Sequence, residues 1–345
     1  MKQKFEFVDN MKCISMIGVV LWHCMLFYAG NPFWLLRAET PSSIVAFLSN
    51  YFDCCFVPFF VFASGFLFCI TCQKEDRKSV DIIVGRVKRL LVPWILYGLL
   101  WLVPTYTLFD IESFGRIKGT SLLGGYKVML LGQFADMAWF LLMLFWVSLI
   151  WCCFRFLLKK GRIWVSLFVA LALVLLSHYG LANVDFYKLS QIDQYLWYFY
   201  LGTIVYCYWD MSDSYKDVKA VIAAILLVIT AIILAQYCGG NFYLTVLTKS
   251  INVLGMCVLF FNTTQAGLFN GKHISRLMGW LKLHNMDVYL FQAPWIYVYF
   301  VIFYPIVGKS ALACILCNFV ATAISIFVIC EIITFIKARK IFARK

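Results

Sequence analysis

Ten stretches of this chain, each near twenty residues and almost free of charge, dictate the solvent it must fold in. They fall near 11–29, 51–71, 90–109, 137–158, 163–181, 195–209, 218–237, 246–264, 284–304 and 311–336. About twenty apolar residues in helical form cross the ~30 Å hydrocarbon core of a bilayer. A helix also satisfies its own backbone hydrogen bonds, which hydrocarbon cannot do for it. The sequence therefore predicts an all-α polytopic membrane protein of about ten transmembrane helices. The chain is 63% hydrophobic and only 14% charged, with a mean hydropathy of +0.85, a balance that excludes a soluble domain of this size. No hydrophilic run is long enough for a second domain, so residues 1–345 are expected to form a single transmembrane domain with no appended soluble one. No cleavable signal is evident in the charged opening at 1–10.

The net charge of +13 would suit a nucleic-acid partner, but its distribution points to topology instead. With ten spans both termini share one side. Most of the Lys and Arg then fall on that side: Lys2, Lys4, the cluster Lys74–Arg89, Arg155–Arg162, Lys216, Lys219, Lys272, Arg276, Lys282 and the tail Lys337–Lys345. Few fall on the other, namely Arg37, Arg116, Lys118, Lys127, Lys188, Lys249 and Lys309. By the positive-inside rule both termini are cytoplasmic. A multi-pass protein of the inner (plasma) membrane is expected, in contact with membrane lipids and with no nucleic-acid partner. The 14 cysteines sit mostly inside apolar runs, where Cys behaves as a small hydrophobe. The Cys69/Cys72 and Cys314/Cys317 pairs lie near opposite faces of the membrane, so they cannot share a metal, and helix packing accounts for them better. No metal site is expected.

The first apolar run carries the polar groups that stand out most. Lys12 and His23 are eleven residues apart, three helical turns plus about 20°. Asp9 falls within about 60° of both by the same count. One side of this helix thus bears a carboxylate, an ammonium and, ~16 Å further along, an imidazole. An ionisable group at that depth marks a functional site or a hydrogen bond between helices. Further along, Arg86 and Arg89 stand at the mouth of the third run, at i and i+3 on one face. Paired guanidiniums there suit a multiply charged phosphate ligand, and a plain topogenic cluster equally. Together, a phosphate clamp and an imidazole half a membrane deeper fit a ligand with a charged head and a thin, uncharged arm. Acyl-coenzyme A has that shape, and a histidine is a natural general base for a hydroxyl that attacks a thioester.

These residues resemble the integral-membrane acyltransferase-3 family, in which acyl groups, usually acetyl, pass to sugars and related acceptors. Asp9, Lys12 and His23 follow its basic-x10-His signature, with Lys12 as in members similar to fucose O-acetylases. Pro58–Gly65, containing Ser64, looks like its PxFFxxSG span with Val61 for one Phe. Arg86 and Arg89 match its RxxR motif, to which coenzyme A binding is attributed. Ala138-Trp139-Phe140-Leu141 resembles its WFL span. Tyr289–Pro294 resembles its YLxHxP, with Gln292 in place of the histidine. The likeness covers the whole chain.

The resemblance implies a membrane O-acyltransferase, most simply an O-acetyltransferase. Acetyl-CoA or another acyl-CoA would be the donor substrate, and no permanently bound cofactor is expected. His23 would be the catalytic base, with Arg86, Arg89 and Lys12 holding the donor and Asp9, Ser64, Trp139 and Tyr289 in support. The acceptor would be a cell-surface or lipid-linked glycan, with glycan-assembly proteins as further partners. The alternatives are a glycan exporter or flippase without chemistry, and an acyltransferase using succinyl-CoA or acting on small secreted molecules.

The remaining polar residues have plainer expectations. Asp9 pairs with Lys12 or another cation, and Glu331 with a Lys or Arg. His178, His273 and His284 are solvated in or near connections. Asp53 and Asp136 lie at outer span ends, solvated or meeting an acceptor sugar. Trp94, Trp101, Trp197 and Tyr198 form an aromatic belt. The Gly-rich connection 104–136 folds back as a lid or is an ordinary loop.

Overall fold

The computed structural model describes residues 2–30, 36–72, 78–109, 121–132, 138–159, 161–181, 183–184, 186–209 and 218–342, with side chains from residue 6 to residue 336. Asp136, the loop segment 110–120 and the basic residues Lys74, Arg77, Lys160 and Lys216 lie outside them, as do the side chains of Lys2, Lys4 and the tail cations from Lys337 on. The regular elements among the described residues are all helices, with no strand among them. In order the helices are α1 (Lys2–Leu26), α2 (Ser43–Asp53), α3 (Phe56–Cys72), α4 (Ser79–Arg86), α5 (Val92–Tyr97), α6 (Val103–Leu108), α7 (Leu122–Leu130), α8 (Trp139–Cys153), α9 (Ile163–Leu181), α10 (Asp193–Tyr208), α11 (Val218–Ala235), α12 (Phe242–Gln265), α13 (Lys272–Phe291), α14 (Trp295–Val307) and α15 (Ala311–Phe342).

Helix occupies most of the described part of each of the ten apolar runs. By length and composition six stretches can cross a membrane, namely 43–72, 79–108, 163–181, 218–235, 242–265 and 311–336, and a seventh if α13 and α14 count as one bent span. The chain is a polytopic helical membrane protein. α11 is apolar on all sides and leaves Ile222, Leu226, Ile229 and Ile233 exposed, as a rod facing lipid does. Start signals are local: Ser42 Oγ accepts from Val45 N–H, Ser121 Oγ from Gly124 N–H and Asn241 Oδ1 from Leu244 N–H, each side chain satisfying a donor the first turn leaves open.

Three irregularities interrupt the regular helices. The rod from Ser79 to Leu108 contains two π turns, Val87–Leu91 and Gly98–Leu102, each ending two residues before a proline, Pro93 and Pro104. A proline lacks the N–H for its i−4 carbonyl and crowds it, and a wider turn relieves that. Arg86 therefore lies inside a continuous helical rod that begins at Ser79, rather than at a helix start as the sequence suggests.

The second irregularity is the break at Cys54–Cys55 between α2 and α3. It is held by α12: Asn252 Nδ2 donates to the Cys54 carbonyl at 3.1 Å, and Lys249 Nζ meets Asp53 Oδ2 at 2.9 Å. Lys249 is thus a buried partner inside α12, not a charge in an outer connection, and Asp53 is engaged by it. The third is the 69° bend between α13 and α14. The Ala293 carbonyl in that bend accepts from Trp101 Nε1 at 2.9 Å and from Tyr97 Oη at 3.4 Å, so backbone freed by the break is satisfied inside the bundle.

α3 and α10 pack closely. A Cβ added at Gly65 would overlap the Phe199 carbonyl, and one at Gly202 the Phe62 carbonyl, so two glycines let the backbones meet. Several other expectations are corrected by burial. His284 is only 4% exposed, inside α13, with Nδ1 3.1 Å from Asp287 Oδ2. His178 is half-buried, stacked on Phe242 at 3.7 Å and bonded to Asp193. Glu331 accepts from the Trp280 indole at 2.9 Å rather than meeting a cation. Trp94 and Tyr198 are buried, not in a belt. Cys69 faces Cys207, the sulfurs 3.3 Å apart. Within the 104–136 connection, α7 packs Met129 against Gly98.

Candidate active site

A cavity of about 440 Å³ opens between α1, α3, the Arg86–Leu90 turn, α8 and α13. Each helix contributes the face that its spacing predicts. α1 gives Lys12, Met16, Val19, Trp22, His23 and Leu26, a stripe at three- and four-residue steps. α3 gives Val57, Phe60 and Ser64; α8 gives Trp139, Phe140 and Leu144; α13 gives Lys282, Asn285, Met286 and Tyr289. Lys12, His23, Ser64, Arg86, Arg89, Trp139 and Tyr289, singled out in the sequence, thus line one space. Asp9 is not among the lining residues but meets Lys12 Nζ at 3.1 Å. Among the described residues of the 104–136 connection, none lines this cavity.

The lining is polarised. Lys12, Arg86, Arg89 and Lys282 bring four cations, and no carboxylate stands among the lining residues. The Arg86 guanidinium rests over the Phe68 ring at 5.3 Å, a cation–π contact that fixes its stem. Away from the cations the wall is aromatic. Phe60 and Phe140 meet edge to face at 6.0 Å, and Phe140 and Tyr289 at 5.7 Å. Trp139 lies against Tyr195 at 5.7 Å. Beside His23, Trp22 Nε1 donates to the Ser49 carbonyl and hydroxyl, both at 3.1 Å, pinning α1 to α2.

His23 is 8% exposed and its Nδ1 lies 3.0 Å from Gln292 Oε1. The Gln292 amide is fully buried and cannot turn over without loss, because its Nε2 donates to the Tyr289 carbonyl at 3.0 Å. Its oxygen therefore faces the ring and accepts, so neutral His23 carries its proton on Nδ1 and its basic lone pair on Nε2. The bend after Phe291 delivers Gln292 to this point. A ring with a fixed tautomer, in a largely apolar pocket that four cations also line, can take a proton from a hydroxyl brought beside a bound anion-bearing ligand.

Two members of this set are missed by sequence reasoning. Gln292 reads there only as a substitution that removes a histidine. Lys282 reads as a topological charge, although it sits seven residues before Tyr289 and hence on the same face of α13. That spacing is the available signal.

A family model described as "Acyltransferase domain", of the acyltransferase-3 type, matches residues 5–336. No curated protein and no solved structure matches the chain.

Proposed function

Since the chain belongs to the acyltransferase-3 family and is therefore an acyltransferase, we propose that it moves an acyl group, most simply acetyl, from acyl-CoA to a hydroxyl of a cell-surface or lipid-linked glycan, with His23 as general base. The membrane is the inner (plasma) membrane, with the cationic mouth on the cytoplasmic side. The observation that carries this reading is the meeting of His23 and the four cations on one cavity. The exporter alternative gives way to the family's chemistry.

The donor's phosphates sit among Lys12, Arg86, Arg89 and Lys282, and its uncharged arm runs inward along the Phe60, Phe140 and Tyr289 wall. Guanidiniums bind phosphate oxygens bidentately, and the aromatic wall excludes water from the thioester. The acceptor oxygen attacks the thioester carbonyl carbon as its proton passes to His23 Nε2. The C–O bond forms, the C–S bond breaks, and the proton moves on to the departing coenzyme A thiolate. While the ring is charged, Gln292 Oε1 accepts from Nδ1–H and steadies it. The proton balance closes on one imidazole, with no second histidine at position 292.

The test is coenzyme A release by purified protein supplied with acetyl-CoA and candidate acceptors. His23→Ala should lower turnover by ~10²–10⁴-fold while the protein still inserts in the membrane and binds donor. Acetyl transfer at the parent rate by that variant would overturn the assignment. Mass spectrometry of surface glycans with and without the protein identifies the acceptor.

A further inference from the structure

On the side of α1 and α13 away from the cavity runs a second, larger groove of about 650 Å³, walled also by α15. Val20, Leu281, Val288 and Ala323 line its length, and His273 and Arg276 stand at one end, both exposed. The first twelve residues of α13, Lys272–Leu283, hold Lys272, His273, Arg276 and Lys282 and no acid. Of the acids on α13 and α15, Glu331 accepts from the indole of Trp280 and Asp287 meets His284. This end lies on the same side of the bundle as Lys12, because α1 and α13 run in the same sense, with Cys13 against Met278 and His23 against Gln292.

Charge and length together select an occupant. From Arg276 to Val288 is twelve helical residues, ~18 Å, against the ~15 Å spanned by the hydrocarbon of one leaflet. A basic end followed by an apolar trough one leaflet deep fits a headgroup phosphate followed by one acyl chain. Basic pockets between membrane helices take anionic lipid headgroups in this way. We propose that the groove binds one anionic glycerophospholipid, its phosphate at Arg276 and His273 and one chain laid between α1, α13 and α15. The site is independent of the acyl-transfer reading, since it shares helices with the cavity but none of its lining residues.

Protein purified in detergent, stripped of lipid and titrated with phosphatidylglycerol or with phosphatidylcholine of identical chains should, by native mass spectrometry, retain a single phosphatidylglycerol in preference. Arg276→Ala should weaken phosphatidylglycerol retention roughly fivefold and narrow its lead over phosphatidylcholine. Ala323→Trp, which fills the trough from an exposed position, should abolish retention of both. Both variants change exposed residues, and size-exclusion profiles verify that they fold. Equal retention of the two lipids by the parent protein, or undiminished phosphatidylglycerol binding by either variant, overturns the proposal.

Discussion

Gln292 Oε1 lies 3.0 Å from His23 Nδ1, joining residues 269 positions apart in the sequence. The amide is held from its other end by the Tyr289 carbonyl, so its oxygen fixes which ring nitrogen carries the proton. Gln292 touches no substrate in the proposed reaction and acts through the ring. Gln292→Leu should lower kcat for coenzyme A release by about 10–100-fold, the usual cost of losing a group that orients a histidine, with KM for donor unchanged. Gln292→Glu, which still offers an acceptor to Nδ1–H, should restore much of that loss. Equal defects in both variants would mean that the residue only fills space.

Removal of single cations should separate binding from chemistry. Arg86→Ala, Arg89→Ala and Lys282→Ala should each raise KM for acyl-CoA by roughly tenfold or more, as expected for a charge-assisted hydrogen bond worth about 1.5–3 kcal/mol, with kcat nearly unchanged. Lys282→Ala is the most informative of the three, because Lys282 enters the site only through the fold. An unaltered KM in that variant would take it out of the donor site.

The Lys249–Asp53 pair is lopsided. The lysine side chain is 4% exposed and the aspartate side chain 49%. Asp53→Asn leaves a buried ammonium without its carboxylate, with Gln194 Oε1 at 3.4 Å as its remaining acceptor, and should destabilise the protein by about 3 kcal/mol. Lys249→Met leaves a carboxylate that water can reach, and should cost clearly less. Thermal unfolding of both variants in detergent measures the order, and a larger loss for Lys249→Met would refute it.

The α3–α10 contact has no room for a side chain at either glycine. Gly65→Val would put its Cβ on the Phe199 carbonyl, and backbone cannot yield as a flexible side chain does. Overpacking of this kind costs about 1–3 kcal/mol or more. Gly65→Val should therefore lower the unfolding temperature, while Val at Gly85, which has open space around it, should not.

The parts of this molecule legible in the sequence are those governed by local periodicity. The apolar runs mark the helices, and counting 100° per residue puts Lys12 and His23 on one stripe, which the cavity uses. What stays hidden depends on contacts between helices. Nothing local distinguishes a Lys282 that tethers a loop from one that lines a cavity. Lys249 reads as a charge in an outer connection and His284 as solvated, yet both are buried, held by Asp53 and Asp287. Gln292 reads as a loss because its partner is on a helix at the far end of the chain. The π turns go with Pro93 and Pro104, but a proline in a helical pattern announces a disturbance without saying which kind.

The 69° elbow between α13 and α14 ties posture to chemistry. Any motion that straightened it would lift the glutamine carbonyl away from the imidazole and let the ring swivel. A carrier that rocks its halves about such a joint would lose its poised base at every stroke. Under the proposed reaction the elbow therefore keeps its bend through each turnover.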